Sequence, residues 1–241
     1  MAIGTLLSVV SDFCARSGYS IPQAIVSISD PAAIQYKSLL EAVGKEITTR
    51  WLMQAQKRTA TWTVTAATED QGSLYERTGD DFESIRKDTV YNLTLRRPVF
   101  GPISDEDYQI YRAVVNLGPF QRLRIAGDRI SILPAPAVGQ QISFIWRSKN
   151  WICRQSNGTL TDRFSADQDT ILFDDELMIL GLKAFFKREK GLSYAEDLRA
   201  FEAMAADKAS RDGVKPTLSL SGEGQDSLRP GVLVPSGNWP V

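Results

Sequence analysis

The chain has 241 residues, 28 Lys and Arg against 29 Asp and Glu, and no histidine. That length and an ordinary apolar fraction allow one large domain or two small ones with a real core, and the near-zero net charge argues against a general electrostatic grip on nucleic acid. Histidine is the usual general base, the usual partner of Ser and Cys nucleophiles and the commonest zinc ligand, so its absence disfavours most hydrolase and zinc chemistry.

Thr5 is placed to cap a short helix whose apolar positions Leu6, Val9, Val10 and Phe13 make one face, with Gly18 at its end. Ser20 to Ser29 reads as a connection, broken by Pro22. Asp30-Pro31 is a start signal, because Asp caps orphan amides and Pro is pre-shaped for the first helical position. The helix that follows carries Ile34, Leu40, Val43, Ile47 and Trp51 on one side and is expected to run to about Arg58.

From Ala60 to Trp151 the apolar period falls towards two. Thr61 to Thr68 reads as a strand, and Ser73 to Arg77 as a second short one. Phe82 to Arg97 admits irregular strands or a helical turn. Ser104 heads a short helix, with Asp107 three residues on and acids in its first turn. Phe120 to Pro136 predicts a hairpin turning at Gly127-Asp128, and Gly139 to Ile152 a further antiparallel strand.

Beyond a polar loop at Asp162 to Asp169, Asp174, Asp175 and Glu176 open a helix that closes on Lys183, Lys187, Arg188 and Lys190 before Gly191. Ser193 to Glu196 forms a capping box for the next helix, which presents Tyr194, Leu198, Phe201 and Ala205 and stops at Asp212-Gly213. The expected class is α+β. Residues 1–59 and 156–213 supply a helical bundle, and residues 60–155 form an antiparallel β-rich insertion within it.

Residues 214–241 read as an extended arm. They are rich in Gly, Pro and Ser, yet carry Leu218, Leu220, Leu228, Arg229, Val232, Leu233, Val234 and Trp239. Ordering such a segment costs about 1–2 kcal/mol of backbone entropy per residue, while apolar burial returns only about 25 cal/mol per Å². These eight residues are therefore the candidate interface, ordered against another subunit or another protein.

Acids cluster at Asp80-Asp81, Asp105-Glu106-Asp107, Asp167/Asp169 and Asp174-Asp175-Glu176. Paired carboxylates could serve glycoside hydrolysis or hold Mg²⁺ if they converge, but helix starts and loops explain them as well. The Asp162 loop lacks the Gly and closing Glu of an EF-hand, and no P-loop, GxSxG or paired CxxC occurs. No catalytic, metal or cofactor residue is assigned. Arg122 and Arg124 share one sheet face, open to phosphate, to an acidic partner or to solvent. Cys14 and Cys153 read as reduced, buried thiols, and no apolar run approaches the roughly 20 residues of a membrane span. The first ten residues lack a signal-peptide pattern, so assembly in the cytoplasm is expected.

Several stretches, in order, resemble the phage head-to-tail adaptor family, which includes the tail tubular protein A type of short-tailed phages. They are the Arg-Pro-x-x-Gly-Pro turn at Arg97 to Pro102, the Leu-x-Pro-x-Pro-x-x-Gly strand exit at Leu133 to Gly139, the acidic Glu-Leu helix start at Glu176-Leu177, and the Lys-Gly-Leu-x-Tyr-Ala junction at Lys190 to Ala195. The resemblance implies a non-enzymatic protein of the virion neck. Its copies, typically twelve, would form a ring that joins the portal protein to a tail or nozzle protein, while DNA passes through the lumen without specific binding. It also implies that the C-terminal arm reaches into the portal. The alternatives are a neck stopper or tail-terminator-like protein, a virion-associated cell-wall hydrolase acting through the paired carboxylates, and a general DNA-binding module.

Overall fold

A computed structural model describes residues 4–86, 89–113 and 120–212. Among them are six α-helices and two sheets, a mixed α+β fold. Helix α1 (Leu6–Ser17) starts where Thr5 and Ser8 cap each other and ends at Gly18 in the left-handed region. Helix α2 (Pro31–Arg50) is capped by Asp30. It stops eight residues before the expected Arg58, because Gln56, wholly buried, donates to the Thr48 carbonyl and accepts from the Met53 amide. That side chain satisfies a carbonyl the last turn leaves orphaned. The buried face of α2 is Ala33, Tyr36, Leu40, Val43, Gly44 and Ile47, whereas Ile34 lies 55% exposed.

Strands β1 (Lys57–Thr63) and β2 (Asp70–Ser73) precede α3 (Leu74–Thr78). The stretch Ser73 to Arg77, expected as a strand, is thus mostly helical: Leu74 is its sole buried position, so no alternating face exists for a sheet to cover. Strands β3 (Phe82–Ile85), β4 (Tyr91–Asn92) and β5 (Arg97–Phe100) resolve the ambiguous stretch as short strands. Helix α4 (Asp105–Ala113) follows, its Ser104 hydroxyl bonded to the Asp107 amide and carboxylate. The hairpin β6 (Gln121–Ala126) and β7 (Arg129–Leu133) turns at Gly127-Asp128, where Gly127 supplies φ 61°. Strand β8 (Gln141–Ser148) completes the large sheet.

Its order is β1-β8-β4-β5-β6-β7-β2, with β3 also on β8. The expected all-antiparallel arrangement is corrected at one place, where β5 and β6 pair in parallel, Val99 opposite Gln121. Helix α4 lies between them in sequence and supplies the crossover that a parallel pair requires. The sheet curls, bringing α3, which follows the β2 edge, against β1 at the other edge. Inside the curl lie Trp62, Leu123, Ile130, Ile132, Ile142 and Phe144.

A second core joins α1 and α2 to α5 (Asp175–Glu189) and α6 (Ala195–Asp212). Strands β9 (Ile152–Cys153), β10 (Leu160–Thr161) and β11 (Thr170–Ile171) form a small sheet in the order β10-β9-β11 that lies against it. Trp151 stacks on Phe173 and meets Phe164 edge-on. Gly44 of α2 lies so close to this indole that a Cβ would fall 2.0 Å from a ring carbon. Gly181 of α5 likewise meets Val43 and Phe201. These glycines let backbone and ring approach at distances no side chain would permit.

Candidate functional site

The acidic clusters were the sequence's only candidates for chemistry, and each is engaged locally. Asp167 accepts from the amides of Ile25 and Val26, pinning the connection between α1 and α2. Asp169, 1% exposed, accepts from the amides of Gln155, Ser165 and Ala166 and from the Ser165 hydroxyl. Burial pushes its carboxyl up, yet these donors outweigh burial and hold it below the usual carboxylate range. Asp174 caps α5 and pairs with Lys208 of α6 at 2.9 Å. Asp175 accepts from the Gly4 amide, and its burial raises its pKa. Asp105 binds Arg124 at 2.6 Å, Asp107 holds the Ser104 cap, and Asp81 accepts from Ser148. Among the described residues no group of three or more Cys, Asp or Glu could hold a metal ion.

The basic stretches also have structural partners. Arg122 and Arg124 share a sheet face as expected, and both are half-buried there against side chains of α4. Arg122 lies over Tyr111 at 3.8 Å and Arg124 over Tyr108 at 4.5 Å, and Arg124 meets an acidic partner in Asp105. Tyr108 and Tyr111, three apart on a helix, meet Arg122 and Arg124, two apart on a strand; the two spacings were visible separately, and only the crossover brings them together. Lys183 and Lys187 of α5 both bind Asp197 of α6, while Arg188 and Lys190 lie over Phe185 and Phe186. Cys14 is buried as expected, Cys153 is only half-buried, and neither forms a disulfide.

Two surface features had no sequence signal. One is a mixed-charge groove of about 470 Å³ beside α2, lined by Glu41, Lys45, Glu83, Lys149, Asp162 and Arg163. The other is smaller and cationic, beside the end of α6. There Lys57 donates to the carbonyl of Asp212 and to Gln54, and its burial, with Arg86 adding like charge, lowers its pKa. Large apolar side chains stand exposed on both parts of the molecule: Tyr19, Ile34 and Leu192 on the helical part, Phe100, Ile110 and Phe120 on the sheet part. Phe100 and Phe120 pack edge-on to each other there.

The candidate interface residues Leu218, Leu220, Leu228, Arg229, Val232, Leu233, Val234 and Trp239 lie outside the described residues. Of the other tryptophans, Trp62, Trp146 and Trp151 are buried and Trp51 is half-buried against Phe201. Among the described residues no helix is long and apolar enough to cross a membrane. No family model matches the chain, and no curated protein matches it.

Proposed function

We propose that the chain is a non-enzymatic adaptor of a phage virion neck, assembled in the host cytoplasm as a ring of about twelve copies. The ring would join the portal to a tail or nozzle protein and extend the DNA channel. The observation that carries this reading is the shared core of α1, α2, α5 and α6, built from the two ends of the chain with the large sheet inserted between them. We read those four helices as one bundle, the arrangement that the resemblance of residues 96–213 to head-to-tail adaptors implies.

Such a part has to match one ring to another and let DNA slide past, which asks for many modest contacts and no tight binding site. The local duties of the acidic clusters suit that role better than a hydrolytic one, since carboxylates occupied as caps and loop anchors are poorly placed to activate water. Twelve arms acting together reinforce one another through effective concentration, so each contact can be weak. Mixing the full-length chain with its portal and measuring the assembled mass tests the proposal, with a repeat after truncation at Gly213. A ring bound to the portal, weakened by truncation, is the expected result. Binding only away from the portal would favour the stopper reading, and degradation of peptidoglycan the hydrolase.

A further inference from the structure

We infer that the groove beside the end of α6 is the seat of residues 218–226 of the same chain, occupied before any partner binds. This open groove, about 230 Å³, lies between the start of β1, β3 and the end of β8, and is lined by Leu52, Lys57, Ile85, Arg86, Trp146 and Arg147. Its walls are apolar and its charges are all positive. Arg86 has no ion pair among the described residues, and the nearest carboxylate to Arg147, on Glu83, is 4.0 Å away. A lining that is apolar and carries only cations suits a ligand that brings both apolar side chains and carboxylates.

The chain's own continuation leaves from this spot. Asp212, the last residue of α6, is held at the groove wall, its carboxylate accepting from the Gln54 amide at 2.7 Å and its carbonyl from Lys57 at 3.1 Å. The sequence beyond it reads GVKPTLSLSGEGQD, placing Leu218 and Leu220 ahead of Glu223 and Asp226, with no cation from Leu218 to Asp226. At ~3.3–3.6 Å per residue the six steps from Asp212 to Leu218 reach roughly 20 Å, ample for a site that starts at Asp212's own contacts. Closing so short a loop costs little entropy, and the tethered segment outcompetes the same segment of another molecule through effective concentration. The later stretch from Arg229 to Trp239 carries a cation and no acid, so it suits this groove poorly and is left for a neighbour.

The consequence is a parked arm: its first half is held on its own subunit, and its distal half is aimed outward from a fixed point. Groove and segment belong to a single chain, so the seat is tested without a portal; it assigns Leu218 and Leu220 to their own subunit and leaves Leu228 to Trp239 as the candidate interface.

The test uses the unassembled full-length chain with Cys153→Ser, adding Ser84→Cys in the groove wall and Leu220→Cys in the segment. Mild oxidation should give an intramolecular disulfide, seen as a faster monomer on a non-reducing gel and favoured roughly tenfold over a Ser84→Cys/Leu233→Cys control. A disulfide-linked dimer, or equal cross-linking in the control, would overturn the inference. Because a cysteine in β3 could perturb the sheet, hydrogen exchange gives a second reading without it. Amides 218–226 should lose roughly tenfold protection in Arg86→Glu and regain it when Glu223→Arg and Asp226→Arg are added. Unchanged protection in Arg86→Glu would overturn the seat, while a portal-bound ring measured by mass would leave the adaptor proposal intact.

Discussion

The helical part and the curled sheet are stabilised in different ways. The sheet closes on itself within residues 57–148, through a two-residue hairpin and antiparallel pairs such as β1 with β8. The helical part closes only when residues 4–50 meet residues 151–212. Gly4 donates to Asp175, Arg16 binds Glu176, Arg50 binds Glu202, and the amides of Leu6 and Leu7 donate to the carbonyls of Asp169 and Asp167. A core assembled from chain ends depends on a few long-range anchors, whereas one assembled from neighbouring strands spreads its dependence over many local pairs.

The largest expected effect separates these two modes. Trp151 lies between Phe164 and Phe173 and beneath Gly44, where both halves of the helical core and the small sheet meet. Trp151→Ala should cost about 3–5 kcal/mol. It should also expose amides of α1 and α6 to exchange ahead of those in β6 and β7. Phe144→Ala, at the centre of the curl, should cost a similar amount, about 3–5 kcal/mol, but should open the sheet first. Urea unfolding together with residue-resolved hydrogen exchange measures both. Exchange that rises uniformly in either variant would break the comparison and make the molecule one cooperative unit.

A second, smaller effect sharpens it through pH. The carboxyl of Asp169 is held below its ordinary value in the folded state, so it contributes stability above the unfolded pKa of about 4, and this is lost as pH falls through the folded value. Asp175 works in the opposite sense. Burial raises its pKa, so its ionised form costs the fold stability, and that cost is relieved as pH falls towards 4. Asp169→Asn should therefore lose about 1–3 kcal/mol at pH 7. Its deficit against the parent should narrow below the unfolded pKa, because the parent then loses what the variant never had. Urea midpoints at pH 7 and at low pH check this, and a deficit independent of pH would remove Asp169 as an electrostatic anchor.

What was legible in the sequence divides along the same line. Thr5, Asp30-Pro31, Asp174 and Gly127-Asp128 marked their helix starts and turn correctly, because caps and turns are settled by neighbouring atoms. Ile34 and the Ser73 to Arg77 stretch were misplaced because burial there is decided by elements far away in sequence. Residue spacing put Leu40, Val43 and Ile47 on the core face, but could not reveal that α5 and Trp151 select the face containing Gly44 and leave Ile34 outside. Asp167 and Asp169 looked like members of a polar loop. Their role as acceptors for distant amides depends on where the loop lands. The arm's interface residues stay a matter of composition alone, since they fall beyond Asp212.

The smallest expected effect concerns Arg124, where the sheet borrows from a helix. Its guanidinium lies over Tyr108 and binds Asp105, whose side chain is 78% exposed. An ion pair with one partner so open to water contributes little, and the stacking is worth about as much, so Arg124→Ala should cost about 1 kcal/mol. Arg124→Lys separates the two contributions: it keeps the charge for Asp105 and gives up the planar stack. A lysine variant as stable as the parent at low salt, and weakened by added salt, would assign the contact to the ion pair. Loss in both variants, insensitive to salt, would show that tyrosine stacking fastens α4 to β6. The crossover of the parallel pair would then be held from the sheet's outer face as well as from its core.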